Sequence, residues 1–165
     1  MRIIGIDPGT ATTGFGIIEH DHGRITFVDA GVITTPAGQP MPERLITLHT
    51  ELAQVIRETA PDEAAVELLF FATNVTTAIS VGQARGVILL TLAEAGLIPG
   101  EYTPMQIKQA VTGYGGAKKP QIQEMVKMLL KLPHIPRPDD AADALAIAIT
   151  HSQQMSVNVA ASRKV

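Results

Sequence analysis

The chain has 165 residues, 45% of them hydrophobic and 18% charged, which suits one globular domain with a single sizeable core and excludes a disordered polymer. It has no cysteine, which excludes disulfides and cysteine-bound zinc, and its apolar runs, such as residues 87–90 and 144–149, are too short to span a membrane. The formal charge of -3 speaks against a uniform polyanion binder, but residues 102–138 carry 6 basic side chains against Glu124 alone, whereas residues 1–101 carry 5 basic and 12 acidic ones.

In chain order, residues 2–7 (RIIGID) read as a short buried strand closed by the turn pair Pro8-Gly9. Residues 13–20 and 24–34 read as two further strands, joined through the turn residues Asp21-His22-Gly23 into an antiparallel meander. A Pro/Gly-rich loop (36–42) leads into a helix marked by Leu45, Leu48, Leu52, Val55 and Ile56 at helical spacing. Residues 63–67 (EAAVE) form a fourth strand. A long, broadly apolar helix follows over 75–95, ending at the capping residue Gly96. A fifth strand is expected at 98–103, then a short helix through Ile107 and Val111.

After the Gly-rich loop 113–119 comes an amphipathic helix with Ile122, Met125, Val126, Leu129 and Leu130 on one face. A Pro-punctuated stretch precedes the last helix, which starts at Asp139. The predicted architecture is βββαβαβααα, a mixed α/β fold with a five-stranded sheet flanked by helices. One domain is expected over residues 1–153, with a polar, flexible tail over 154–165, in a cytoplasmic protein.

Four acids occupy unusual places. Asp7 ends the first strand inside an apolar hexapeptide, Glu67 ends the fourth, and Asp140 and Asp143 stand three apart at the start of the last helix, on one face. Each has an ordinary alternative: Asp7 as a turn-former, Glu67 as a strand end, and Asp139 or Asp140 as a helix cap. Asp139 also shares a face with Asp143, so spacing alone leaves it open as a ligand. Carboxylates gathered about 4 Å apart repel by on the order of 1 kcal/mol per pair in water and about 4 at an effective dielectric of 20. Divalent cations offset that repulsion, and Mg²⁺ is the expected one, since it prefers oxygen donors.

The segments Gly5-Ile6-Asp7-Pro8-Gly9-Thr10, Val66-Glu67-Leu68-Leu69-Phe70, Gly82-Gln83-Ala84-Arg85-Gly86 and Asp140-Ala141-Ala142-Asp143-Ala144-Leu145-Ala146 resemble the RuvC family of bacterial Holliday-junction resolvases, over about residues 2–151. The resemblance implies an RNase-H-like homodimer that makes paired, symmetric cuts in four-way junction DNA and leaves 5′-phosphate and 3′-hydroxyl ends. It also implies RuvA and RuvB branch-migration partners. Asp7, Glu67, Asp140 and Asp143 match the catalytic, metal-binding acids, with two Mg²⁺ ions per site and Mn²⁺ as an alternative. Phe70, with Phe71 beside it, matches an aromatic that contacts bases. Lys108 and Lys119 match basic residues that bear on the DNA phosphate; Lys118, a second charge where the resemblance implies a single lysine, and Arg85 are further DNA-binding candidates, and the helix over 75–95 resembles the family's dimer helix.

Three rival readings are weaker. An actin-like or sugar-kinase ATPase shares the strand-Asp-x-Gly-Thr start but needs a second domain, and the 113–119 loop lacks the Gly-Lys-Ser/Thr of a P-loop. A non-catalytic DNA-binding module would be expected to lose some of the four acids. Zinc at His20 and His22 is disfavoured because the pair sits in a surface turn.

Overall fold

The computed structural model describes residues 1–68 and 75–162. Its order is β1 (Arg2–Asp7), β2 (Thr12–Asp21), β3 (Arg24–Thr34), α1 (Met41–Thr59), β4 (Glu63–Glu67), α2 (Val75–Glu94), β5 (Gly100–Tyr102), α3 (Pro104–Thr112), α4 (Lys119–Leu129) and α5 (Asp139–Ser162). The five strands form one sheet in the order β3-β2-β1-β4-β5. The β1–β2–β3 meander is antiparallel, while β4 runs parallel to β1 and β5 parallel to β4. This is the predicted mixed sheet of the RNase-H-like fold.

Strand alternation divides the interior into two cores. Ile4, Ile6, Ile17, Ala64 and Val66 face α1 and α2, where Leu48, Leu52, Ile88 and Leu92 meet them. Ile3, Ile18 and Ala65 face the other way, toward α3, α4 and α5. α5 crosses this second face, contacting β1, β2, β3 and β4. Its inner residues Ala141, Ala144, Leu145 and Ala148 are buried.

The termini of several elements differ from the sequence reading. α5 continues to Ser162, past the point near Gln153 where the polar composition suggested an end. β5 is three residues long rather than six. Pro99 lacks an N–H to donate to the ladder and Ile98 is 91% exposed, so pairing with β4 starts only at Gly100. Among the described residues, no helix is long and apolar enough to cross a membrane.

Candidate active site

The α5 side of the sheet explains how the acids meet. β1 and β2 pair Ile3 with Ile18, Gly5 with Gly16, and Asp7 with Gly14. Bulky isoleucines thus give way first to the Gly5–Gly16 level, which carries no side chain on either strand, and then to a level where Asp7 stands beside Gly14. A Cβ added to Gly14 would collide with the Asp140 carbonyl oxygen, and one on Gly5 with that of Ala144; one on Gly16 would lie 2.6 Å from Leu145 N. The glycines therefore allow the backbone of α5 to lie directly on the strands. That close approach delivers Asp140 and Asp143 to Asp7. Glu67 ends β4 on the same face, one residue beyond the Ile6–Val66 pair.

One carboxylate oxygen from each of Asp7, Asp140 and Asp143 falls within 4.8 Å of the other two. Glu67 joins Asp7 and Asp143 in lining a cleft of about 440 Å³. Asp139 stands apart: Arg137 donates to it at 2.7 Å and Lys119 lies 3.7 Å away. Of the two adjacent aspartates, it is Asp140 that joins the cluster.

Burial and crowding disturb these acids strongly. Burial, then the charges of Glu67, Asp143 and Asp140, push the Asp7 pKa up to about 8, against a smaller opposing pull from Lys119. Glu67 is also raised, by burial and by Asp143, with Lys108 and Lys119 opposing. Asp143 is raised by burial, although Lys119 donates to it at 2.8 Å. Burial alone would lower Lys119, but the hydrogen bond and charge of Asp143 outweigh it and hold the lysine above its usual value. An all-oxygen, partly buried donor set with more negative charge than the chain itself neutralises fits hard divalent cations.

Lys108, Lys118 and Lys119 all line the cleft. Lys118 precedes the first turn of α4, where its backbone N–H donates to Gln121 Oε1 at 2.8 Å, and its side chain is exposed. This separates the two adjacent lysines: Lys119 binds the acid cluster and Lys118 does not. Arg85 lies outside the cleft, on α2, where it donates to Glu101 of β5 at 2.6 Å. Phe70 and Phe71 lie outside the described residues. The sequence assigns no packing role to Gly5, Gly14 and Gly16 on pattern alone, although glycine inside a strand is itself a signal of close backbone approach.

A family model described as crossover junction endodeoxyribonuclease RuvC matches residues 3–151. The chain belongs to the RuvC family. A RuvC relative from Chloroflexus aurantiacus is 60% identical over 152 residues, covering 92% of this chain and 93% of the relative. The structure of Thermus thermophilus RuvC in complex with Holliday junction substrate superposes with a TM-score of 0.91 at 36% identity, covering 96% of each chain. A yeast mitochondrial Holliday junction resolvase, 14% identical with a TM-score of 0.68 over 93% of this chain and 78% of that one, shares the fold. The family is one of crossover junction endodeoxyribonucleases.

Proposed function

We propose that this chain cuts four-way DNA junctions in the cytoplasm during recombination and repair. It does so as a metal-dependent endonuclease of one domain, making paired symmetric nicks with 5′-phosphate and 3′-hydroxyl ends. The observation that carries this reading is the convergence of Asp7, Asp140 and Asp143, with Glu67 in the same cleft, beside three lysines. Membership of the RuvC family supports the junction as substrate, and RuvA and RuvB as partners.

Asp7, Glu67, Asp140 and Asp143 would hold two Mg²⁺ ions, with Mn²⁺ as a substitute. Ions of this kind, when bound, activate a water and stabilise the leaving oxygen of a phosphodiester. The protein's own groups do the rest. Lys108 and Lys119 bring positive charge to the phosphate and to the charge that grows on it as the bond breaks. Lys118, free of the acid cluster, engages the DNA backbone further out, as does Arg85 on α2. Phe70 and Phe71 contact bases near the exchange point.

Asp7 must lose its proton before it can ligate a cation. Its folded pKa of about 8 lies above the ordinary 3.8, so the protonated form favours folding. That contribution is complete below the ordinary value and is lost as pH rises through about 8. In EDTA, the melting temperature is expected to fall between pH 6 and pH 8.5. Millimolar Mg²⁺ should recover more of it at pH 8.5 than at pH 6, because ligation then costs no proton. An equal Mg²⁺ effect at both pH values would show that Asp7 is not a ligand.

The homodimer is supported by α2. Ile79 and Leu90 are 59% and 54% exposed, and with Gly82 and Gly86 they lie along one helical face. Among the described residues, nothing outside α2's own backbone lies within 4 Å of a Cβ added at either glycine, so their small size serves no packing there and leaves room for a second helix to cross closely. Gly86→Leu is expected to convert a dimer to monomer in sedimentation velocity. Its monomer should stay folded, since leucine is the better helix former.

The function is tested on a labelled synthetic four-way junction and a linear duplex of the same sequence. With Mg²⁺, symmetric nicks ending in 5′-phosphates are expected on the junction only. Equal cutting of both substrates would reduce the reading to a general nuclease.

A further inference from the structure

We propose that Tyr114 is a further DNA-contacting residue, whose ring stacks against a nucleotide at the rim of the carboxylate cleft. The inference rests on the junction reading above and adds to it a residue outside the resemblance. Tyr114 sits in the Gly-rich loop between α3 and α4 and is 66% exposed. Such exposure is unfavourable for a ring of this size unless something covers it.

The loop holds the residue firmly. Its N–H donates to Thr112 Oγ1 at 3.2 Å, and its carbonyl accepts from the Ala117 N–H at 3.1 Å. The ring lies against the backbone of Gly116, where an added Cβ would come within 2.6 Å of Tyr114 Cζ and Oη. Gly116 in turn lines the cleft with Lys108, Lys118 and Lys119. An immobilised, exposed aromatic beside three cations is the combination that binds nucleic acid: the lysines draw in the phosphates and the ring takes a base or sugar face.

The contact has a direct optical signature. The chain has two tyrosines and no tryptophan, and the other, Tyr102, is half-buried with its hydroxyl 2.8 Å from His151 Nδ1. Stacking of Tyr114 on a nucleotide should therefore quench much of the tyrosine emission. The experiment titrates a four-way junction into the Asp7→Asn protein, which leaves the DNA uncut, with Mg²⁺ present, and compares it with added Tyr114→Ala, Tyr114→Phe or Gly116→Ala.

Quenching is expected in the Asp7→Asn protein and absent after Tyr114→Phe, which should bind as tightly. Tyr114→Ala should weaken binding by roughly 5- to 150-fold, with the salt dependence unchanged because no phosphate contact is lost. Gly116→Ala should weaken binding by turning the ring aside while the melting temperature holds. Full binding by Tyr114→Ala overturns the proposal, as does a loss in Tyr114→Phe equal to that in Tyr114→Ala, which would assign the contact to the hydroxyl. Failure of the Asp7→Asn protein itself to bind the junction overturns the junction reading, and the Tyr114 contact with it.

Discussion

Replacing Asp7 with asparagine is expected to lower junction cleavage by roughly 10³-fold or more while making the metal-free protein more stable. Metal-assisted charge stabilisation in such sites is worth several kcal/mol, and each 1.4 kcal/mol is about tenfold in rate. The stability gain has the same origin. Asp7 is a partly buried carboxyl facing Glu67, Asp143 and Asp140, and asparagine keeps its shape without the charge. Thermal melts in EDTA above pH 8, where the wild-type acid is ionised, should show the largest gain; the two proteins should converge only below about pH 4, the ordinary range of the carboxyl. Binding of the junction should persist, since Lys108, Lys118 and Lys119 remain in the cleft. Cleavage that survives in Asp7→Asn would remove the carboxylate cluster from the mechanism.

The second large effect is expected at a residue with no functional group. Gly14→Ala would force a methyl into the Asp140 carbonyl, with the Asp140 Cβ only 3.2 Å away. Neither neighbour is the free end of a flexible side chain, so α5 or β2 must move. Overpacking of this kind costs about 1–3 kcal/mol, or roughly 2–12 °C in melting temperature for a chain of this length. The displaced Asp140 should cost activity as well, since a shift of about 1 Å in a reacting group can cost on the order of 10²-fold. Gly38→Ala is the control, because nothing among the described residues lies within 4 Å of its added Cβ; it should leave both melting temperature and cleavage unchanged. If Gly14→Ala behaves like that control, α5 is not seated on the glycines as described.

Much of this site was legible in the residues. A carboxylate at the end of an apolar strand, as at Asp7 and Glu67, marks a point where a buried element meets solvent. The pair Asp140 and Asp143 at a helix start shares a face by helical geometry alone. The antiparallel β1–β2–β3 meander also followed from alternation and turn chemistry, because these are local signals, whereas the order of the five strands and the division into two cores came only with the tertiary structure. The end of α5 was misplaced because polar composition beyond Gln153 says nothing about whether a helix already docked on the sheet continues. β5 came out too long for a related reason: Ile98 reads as a strand residue locally, and only its lack of a partner strand leaves it exposed.

The sequence by itself determined which residue types lie at the ends of β1, β4 and α5, and so which acids were available. The tertiary structure decided which of them meet. Asp139 and Asp140 are equivalent by composition and nearly so by spacing, yet α5 resting on Gly14 and Gly5 turns Asp140 toward Asp7 and leaves Asp139 to Arg137 and Lys119. Lys118 and Lys119 separate in the same way, through the start of α4. The physical reason is that a helix's rotation and depth on a sheet are set by contacts distant in sequence. Here those contacts are made by glycines, whose contribution is the space they leave.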